Sequence, residues 1–340
     1  MNIALITGGL SSEREVALSS GRGILKALRN LGHNVTVIDP VFGSEKVDED
    51  VIFRDMVSNE YPSLDKLKSI QGENSRKMLD CVNSPLFDNI DIAFLGLHGK
   101  YGEDGMIQTL LELRGIKYTG SGIRASAFAM DKDITKTVFQ ANGILTPEWV
   151  ALNRQDEYNI KEFPKIFGKP LVVKPNDEGS TVGLTIARDE KELEKGINTA
   201  FLYSDKVLVE KYVKGREITV SIVDGRAYPV IEIIPKEGFY DYEHKYTKGK
   251  TEYVCPAEIK TAVSDKAKEI AMNAFKTSGC EVYARVDFLL TEDDELFCLE
   301  INTLPGMTEL SLVPMAVKSE GMEFNALIDT VIKTSLRKYE

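Results

Sequence analysis

Short apolar runs alternate with longer amphipathic stretches along the first part of the chain. The apolar runs lie at residues 2–9, 34–40 and 90–99, and helical spacing lies at 13–31 and 103–115. This alternation predicts a parallel α/β unit. Between residues 42 and 89 the chain is polar and acidic, with weak helical periodicity near 61–80, and we interpret it as an elaboration on the surface of that unit.

Helical spacing resumes at Arg124 and runs to Gly143, which predicts a helix end because Pro147 follows. Strands are predicted at 171–175, 182–187 and 207–213, with a helix around 190–199. The last third combines strands, a long loop at 239–256 and closing helices. We expect three domains: an N-terminal α/β domain over 1–123, a small central α+β domain over 124–215 and a C-terminal domain over 216–340.

The stretch from Arg285 to Leu312 predicts a hairpin with one charged face. Because side chains alternate along a strand, Arg285 and Asp287 share a face of the first strand, and Glu300 and Asn302 share a face of the second. Facing carboxylates repel, and a hard divalent cation would turn that repulsion into coordination. We favour such a metal site over a solvated hairpin face. The intervening residues, Val286, Phe288, Leu299 and Ile301, should point into a core.

Neither of two common nucleotide-binding motifs is present. No G-x-x-x-x-G-K-[ST] occurs, and GGLSSE after the first strand lacks the third glycine of G-x-G-x-x-G, so neither a P-loop nor a Rossmann site is supported. Lys174 instead ends an apolar strand, and residues 179–183 form a flexible turn whose N–H groups could fold over phosphates. An ordinary hairpin loop is the alternative interpretation of that turn.

Two further segments favour nucleotide binding at this turn. Lys132 supplies another cation, and the exposed backbone from Glu210 to Val213 could pair with adenine. Glu217 could accept hydrogen bonds from ribose hydroxyls. Taken singly, Lys132 and Glu217 would be interpreted as surface charges.

Composition limits the partners of the chain. Its 340 residues carry 42 Lys and Arg against 53 Asp and Glu, a formal net charge of -11. Such an excess of negative charge argues against nucleic acid or an anionic membrane as a partner. The four cysteines have no metal-ligand spacing, and residues 1–9 are too short for a signal peptide or a spanning helix. We expect a soluble protein in a reducing cytoplasm.

Together these motifs resemble ATP-grasp enzymes of the D-alanine:D-alanine ligase type. The likeness is carried by a lysine in MDK, a lysine in VKP followed by EGS, a VEK strand, and then RVDF, EIN and a PGMT turn. Longer matches are GGLSSEREVALSSG, LHGKYGEDG, FYDYEHKYTKGKTEYVCPA and EINTLPGMTELSLVP. The resemblance covers almost the whole chain and implies a three-domain α/β (α+β) ATP-grasp architecture, with an N-terminal parallel α/β domain, a small central lid domain and a C-terminal catalytic domain.

The reaction implied by the resemblance joins two D-alanines into D-alanyl-D-alanine for peptidoglycan precursor synthesis. ATP would phosphorylate the carboxylate of the first D-alanine, and the amine of the second would attack the acyl phosphate, releasing ADP and phosphate. Two Mg²⁺ or Mn²⁺ ions and a homodimer are implied as well.

The resemblance also assigns roles to individual residues. The metal ligands are Asp287, Glu300 and Asn302, and the ATP contacts are Lys132, Lys174, Glu210, Lys211, Val213, Glu217 and Lys245. Arg285 and the backbone N–H of Gly306 would face the tetrahedral oxygen formed when the amine attacks, where such donors stabilise the transition state.

Glu15 has two interpretations. With Ser12 it would complete a capping box at a helix start, which the sequence alone favours. The resemblance instead makes it the anchor of the first substrate's ammonium, in a hydrogen-bonded triad with Ser180 and Tyr246. His98, at the end of an apolar strand, would line the substrate cleft, although a structural histidine with satisfied hydrogen bonds is equally compatible.

The second substrate is predicted from three residues. Ser311 and Leu312 match residues that bind the second carboxylate and close a methyl-sized pocket, and Tyr246 matches the dipeptide-forming relatives. We therefore expect D-alanine in both sites, with the loop at 239–256 acting as a lid that excludes water from the acyl phosphate. His244 departs from the family, which more often has a small residue there.

Three alternative functions are compatible with parts of the sequence. One is an ATP-grasp ligase that joins a carboxylate to a different amine or hydroxyl. Another is a nucleotide-binding regulator without catalysis, which should have lost Arg285, Asp287 or Glu300, and all three are present. The third is a dehydrogenase on the first α/β segment, which the missing glycine fingerprint disfavours.

Overall fold

Three β-sheets organise the part of the chain that the computed structural model describes, namely residues 1–54, 64–236 and 249–340. The strands are β1 Asn2–Thr7, β2 Asn34–Ile38, β3 Ile92–Gly96, β4 Trp149–Asn153, β5 Leu171–Pro175, β6 Thr185–Ala187, β7 Lys206–Lys211, β8 Arg216–Val223, β9 Arg226–Ala227, β10 Ile231–Pro235, β11 Thr251–Val254, β12 Tyr283–Leu290 and β13 Leu296–Asn302. The helices are α1 Arg14–Asn30, α2 Glu49–Ile52, α3 Leu64–Asn83, α4 Met106–Arg114, α5 Ile123–Met130, α6 Lys132–Ala141, α7 Phe163–Phe167, α8 Glu190–Ala200, α9 Thr261–Thr277, α10 Leu312–Lys318 and α11 Phe324–Arg337.

The N-terminal sheet has the order β2-β1-β3, and both pairs are parallel. β1 can be central because residues 3–6 are apolar and the strand is buried beyond its first residue. α1 packs on it with one apolar face, and the predicted parallel α/β unit is confirmed. The weak helical periodicity near 61–80 corresponds to α3, although residues 61–63 lie outside the described residues.

The central sheet has the antiparallel order β4-β7-β5-β6. β6 begins at Thr185 and not at residue 182, because the preceding residues form a turn. The helix predicted from Arg124 to Gly143 divides into α5 and α6 at Asp131, whose side chain caps α6 by accepting a hydrogen bond from the Ile134 N–H at 3.0 Å.

The C-terminal sheet has the order β11-β10-β8-β12-β13, with β9 paired to β8. The predicted hairpin is confirmed as β12 and β13, which pair antiparallel. The prediction of an unbroken loop over 239–256 is wrong for residues 251–254, because these form β11 along the edge of β10. Residues 239–248 of that loop lie outside the described residues.

A β-bulge in the hairpin changes which side chains face the core. Asp287 pairs with Glu300, but the next residue, Phe288, pairs with Cys298, so the register shifts by one residue. Cys298 is therefore buried, and Leu299 lines the cavity described below. The prediction that Leu299 enters the core is wrong, because strict alternation cannot foresee an extra residue. Val286, Phe288 and Ile301 are buried as predicted.

The sheets share cores across the predicted domain boundaries. α11 packs against α1, and a single apolar cluster joins the N-terminal sheet to α10 and α11. α5 and α6 pack on the C-terminal sheet, where Phe139 and Ile218 are fully buried. The division into domains at residues 123 and 215 stays a prediction. Across the described ranges no helix has the length and apolarity to cross a membrane.

Candidate active site

A cavity of about 630 Å³ is lined by residues that belong to or follow strands of all three sheets. The predicted site residues on its wall are His98, Lys132, Lys174, Ser180, Glu217, Arg285, Asp287, Glu300, Asn302, Gly306, Ser311 and Leu312. Four predicted residues in the described ranges are absent from this wall: Glu15, Glu210, Lys211 and Val213. Lys245 and Tyr246, like His244, lie outside the described residues.

The hairpin contributes a charged cluster that the strand alternation predicted. The Arg285 guanidinium donates two parallel hydrogen bonds to Asp287, from Nε to Oδ1 at 2.9 Å and from Nη2 to Oδ2 at 2.8 Å. Thr219 Oγ1 donates to the same carboxylate at 2.5 Å, and Asn302 Nδ2 does so at 3.0 Å. Asp287 therefore has a fixed orientation towards the cavity, held from three sides.

Oxygen atoms dominate the possible metal ligands here. Asp287 and Glu300 are register partners across β12 and β13, and Asn302 lies two residues beyond Glu300 on the same face. Since Asn302 donates through its nitrogen, its amide oxygen remains for a cation. No cluster of three or more His, Cys, Asp or Glu side chains suited to a metal occurs among the described residues. Two carboxylates with an amide oxygen still fit a hard divalent cation that completes its shell with phosphate oxygens.

Lys132 connects the hairpin to the turn at residues 179–183. Its Nζ donates to the Glu178 carbonyl at 2.7 Å and lies 3.4 Å from Glu300 Oε2. The side chain is only 9% exposed. An ammonium so placed can neutralise the negative charge of a phosphate that binds beside Glu300.

Two further lysines flank a buried carboxylate. Lys174 Nζ, on the cavity wall, and Lys136 Nζ, behind it, each lie 3.0 Å from Glu210 Oε1. The two ammonium groups hold the pKa of Glu210 below its usual value despite burial, which acts in the opposite direction. Burial lowers the pKa of Lys136 to about 8. Sequence reasoning missed Lys136, since a lysine four residues after Lys132 suggests only a shared helix face.

The backbone that was expected to pair with adenine is partly used within the sheet. β7 lies between β4 and β5, and the Lys211 N–H donates to the Glu148 carbonyl at 2.9 Å. The Lys211 side chain is half-exposed and pairs with Glu148 at 2.9 Å. The prediction of exposed backbone from Glu210 is therefore wrong at its start, and strand pairing ends at Lys211, before Val213.

The turn at residues 179–183 has a strained backbone at Ser180 and Thr181, which adopt φ of 48° and 65°. Left-handed conformations of this kind in residues other than glycine occur at functional sites. Gly179 is needed for a close approach, because a Cβ there would lie 2.7 Å from Glu13 Oε2. Ser180 Oγ donates a short hydrogen bond to Glu13 Oε1.

The structure thus brings Glu13, and not Glu15, to Ser180. Glu13 is buried and lines the cavity, whereas Glu15 lies one residue inside α1, away from the wall. The capping box is also wrong: Glu13 occupies the N-cap position without a side-chain cap, and Ser12 Oγ donates to Glu178 Oε2 at 3.4 Å. The sequence contains two glutamates in SSEREV, and the first of them, at the N-cap of α1, meets Ser180.

His98 is held from both sides of its ring. Its Nδ1 donates to the Leu304 carbonyl at 2.8 Å, and its Nε2 accepts from Ser20 Oγ at 2.9 Å. The Met307 N–H in turn donates to Ser20 Oγ at 3.3 Å. Burial lowers the pKa of His98, so the neutral ring that this pattern requires is favoured. His98 therefore fixes the loop around Gly306 while lining the cavity, which unites its two interpretations.

The loop after the hairpin presents its backbone to the cavity. A Cβ at Gly306 would lie 3.0 Å from Ser311 Oγ, so glycine allows the loop to close tightly. The Thr308 N–H donates to Ser311 Oγ at 3.0 Å, and Leu312 begins α10 just behind. These residues are brought together as predicted.

Glu103 is a site residue that sequence reasoning missed. Its carboxyl accepts from the Gly99 N–H at 2.7 Å and from the Leu304 N–H at 3.0 Å, which ties the loop after β3 to the loop after β13. Burial and the neighbouring Glu13 carboxylate raise the pKa of Glu103 to about 8. Its position in GEDG, five residues after His98, was the available signal.

Comparison with known proteins agrees with this geometry. A family described as "D-ala D-ala ligase N-terminus" matches residues 2–121, and one described as "D-ala D-ala ligase C-terminus" matches residues 138–333. The chain is 41% identical over 341 residues to the D-alanine–D-alanine ligase of Syntrophotalea carbinolica, covering 99% of this chain and 97% of that one. It is also 41% identical to the ligase of Halalkalibacterium halodurans, covering 99% and 100%.

Solved structures extend the comparison to the fold. The D-alanine–D-alanine ligase from Bacillus anthracis complexed with ATP has a TM-score of 0.76 and 34% identity, with 99% of this chain and 98% of that chain covered. The D-Ala:D-Ser ligase VanG from Enterococcus faecalis has a TM-score of 0.80 and 28% identity, with 98% and 99% covered. With both halves of the family matched and the full length aligned, this chain belongs to the D-alanine–D-alanine ligase family and has the ATP-grasp fold.

Proposed function

We propose that this chain uses ATP to join two D-alanines into D-alanyl-D-alanine through a D-alanyl phosphate, releasing ADP and phosphate for peptidoglycan precursor synthesis. The observation that carries the proposal is the convergence on one cavity of Lys132, Lys174, the Arg285–Asp287 pair and the Glu13–Ser180 contact. Cations, carboxylates and a substrate-anchoring glutamate are the groups that phosphoryl transfer to a carboxylate requires.

Lys132 and Lys174 are proposed to bind the phosphates of ATP, with the turn at residues 179–183 folded over them. Asp287, Glu300 and Asn302 would hold two Mg²⁺ or Mn²⁺ ions, which neutralise charge on the transferred phosphoryl group. Lys132 lies near both the turn and Glu300, so it would keep the phosphate aligned with the metal site. Lys211, Val213 and Glu217 stay proposed adenosine contacts, and Lys245 a proposed phosphate contact. Glu210 is not proposed as an adenosine contact, because its backbone pairs within the sheet and its carboxylate lies between Lys136 and Lys174.

The first D-alanine is proposed to lie between Glu13 and Ser180. The Glu13 carboxylate would bind its ammonium, and Ser180, which donates to Glu13, would keep that carboxylate oriented. Tyr246 completes this group in the family resemblance. We no longer propose Glu15 for this role, since Glu13 occupies the position.

Bond formation is proposed to take place beside Arg285 and Gly306. When the second amine attacks the acyl phosphate, the carbonyl oxygen gains negative charge, and the guanidinium and the Gly306 N–H would donate to it. His98 and Ser20 hold this loop in place for that purpose. Ser311 and Leu312 would bind the carboxylate and the methyl group of the second D-alanine.

A homodimer and a cytoplasmic location complete the proposal. The homodimer rests on the family resemblance alone. The location is supported by the four cysteines, all of them in the described ranges and all free thiols, as a reducing compartment would leave them.

Product analysis tests the proposal. Purified protein is incubated with ATP, Mg²⁺ and D-alanine, with D-serine and D-lactate as competitors, and products are identified by mass alongside phosphate release. We expect D-alanyl-D-alanine that depends on Mg²⁺. A mixed D-alanyl-D-serine or D-alanyl-D-lactate product would redirect the proposal to a different second substrate, and the absence of any ligated product would contradict it.

A further inference from the structure

Lys136 is a buried lysine that the proposed mechanism does not use. Its side chain is 0% exposed, and it is not among the cavity-lining residues of the described ranges. Its Nζ lies 3.0 Å from Glu210 Oε1, donates to Thr146 Oγ1 at 3.0 Å and lies 5.1 Å from the centre of the Trp149 ring. Burying an ammonium is costly unless it is paired, and the Glu210 carboxylate supplies that pairing.

The shared carboxylate supplies the connection to the cavity. The same oxygen, Glu210 Oε1, is 3.0 Å from Lys136 and 3.0 Å from Lys174, and only Lys174 reaches the wall. Two ammonium groups and one carboxylate leave the cluster with one net positive charge. Without Lys136 the cluster would be neutral, because the Glu210 carboxylate would neutralise the ammonium of Lys174.

We propose that Lys136 is a positioning residue for the nucleotide: by neutralising Glu210 it leaves the positive charge of Lys174 available to the phosphates of ATP. The inference rests on the proposed function only in taking ATP as the ligand of Lys174. Lys136 touches no ligand itself and acts through Glu210.

A purely structural role is the alternative, in which Lys136 holds β4 to β7 through Trp149 and Glu210. The two roles differ in what happens when Glu210 also loses its charge. If Lys136 neutralises Glu210, removing both charges frees Lys174 again and restores nucleotide binding. If Lys136 only packs, a second substitution in the same cluster adds damage to the first.

Three variants separate these roles: Lys136→Met, Glu210→Gln, and the double variant. The dissociation constant for ATP with Mg²⁺ is measured by calorimetry, and the KM values for ATP and D-alanine are measured separately. Lys165→Met, at an exposed lysine of α7, serves as the matched control. Unfolding temperature and the fluorescence of Trp149, the single tryptophan of the chain, report whether each variant keeps its fold around the cluster.

Lys136→Met should weaken ATP binding about tenfold, the size expected when one charge-assisted contact is weakened. The KM for D-alanine should change little, and the double variant should bind ATP more tightly than Lys136→Met. Unaltered ATP binding in Lys136→Met, or a double variant no tighter than the single one, would overturn the proposal. Because the readout is ATP binding, it remains decisive even if the wild-type protein forms no dipeptide.

The wild-type protein offers a test that needs no variant. The charged and titratable groups facing Lys136 are Glu210 on β7, Lys174 on β5 and Cys298 on β13, and the pKa of Cys298 is raised well above its usual value by burial. Since the pKa of Lys136 is about 8, ATP affinity should fall from about pH 7 to about pH 9 as the neutralising charge is lost. Constant affinity over this range would contradict the proposal.

Discussion

The hairpin and the Glu13–Ser180 contact form parts of one cavity but are specified by the sequence in different ways. In the hairpin, the interacting residues Arg285, Asp287 and Asn302 are close in the chain, and strand alternation alone places them on one face. Glu13 follows β1 of the N-terminal sheet, and Ser180 lies between β5 and β6 of the central sheet. The two residues therefore meet only through the folding of the whole chain.

This difference decides in which part of the site the residues are still assigned correctly when the predicted register or helix start is wrong by one or two residues. A shift of one residue in the hairpin, as at the bulge, moves Leu299 but leaves the charged pair intact. A shift of two residues at the start of α1 exchanges Glu13 for Glu15 and changes which glutamate is proposed to bind the substrate ammonium. Local patterns therefore predict the catalytic face well, and long-range contacts need coordinates.

The largest expected effect comes from the hairpin. Arg285→Ala should lower kcat by about 100-fold or more, because it removes a donor to the developing oxyanion and frees the Asp287 carboxylate. Steady-state kinetics with D-alanine measure this effect, and Arg226→Ala, at an exposed arginine of β9 in the same sheet, is the control. A change confined to KM would remove Arg285 from the transition state.

The second prediction sets the two glutamates of SSEREV against each other. Glu13→Gln should lower kcat/KM for D-alanine about tenfold or more, since a buried charged partner of Ser180 and of the substrate ammonium is lost. Glu15→Gln should stay within about threefold of wild type, because Glu15 lies in the first turn of α1 and is not on the cavity wall. The reverse ranking in the same assay would restore Glu15 as the anchor.

The third prediction concerns Glu103, which ties the loop next to Glu13 to the end of the hairpin. Because its pKa is raised from 4.5 to about 8, the folded protein keeps a proton between these values that the unfolded chain has released. The free energy of unfolding should therefore fall as the pH rises through this window.

Urea unfolding at about pH 5 and about pH 8 measures this dependence in the wild type and in Glu103→Gln. The variant should depend less on pH, since it has no proton to release. Parallel curves for the two proteins would show that Glu103 does not titrate as its surroundings require. The effect is expected to be the smallest of the three.

Much of the fold follows from the sequence in physical terms. Apolar runs fixed the positions of β1, β3 and the hairpin, because burial of both faces or of one face leaves a clear period. Helix division at Asp131 and the early end of β7 were not foreseen, since capping and strand pairing depend on neighbours in space.

The candidate site divides along the same line. Lys132, Lys174 and Asp287 could be assigned from motifs. Lys136 lies in no such motif, and for Glu103 the GEDG motif indicates a position but not the contact with Leu304, so both roles depend on burial beside Glu210 and Leu304. Their surroundings shift their pKa values, and such shifts depend on coordinates and not on local sequence.

The most direct test of the central claim follows an oxygen atom. D-alanine labelled with ¹⁸O in both carboxylate oxygens is incubated with ATP and Mg²⁺, and phosphate and dipeptide are analysed by mass. An acyl phosphate intermediate predicts that one labelled oxygen appears in phosphate for each D-alanyl-D-alanine formed, while the other stays in the peptide carbonyl. Dipeptide formed together with unlabelled phosphate would contradict carboxylate phosphorylation and with it the account of this cavity.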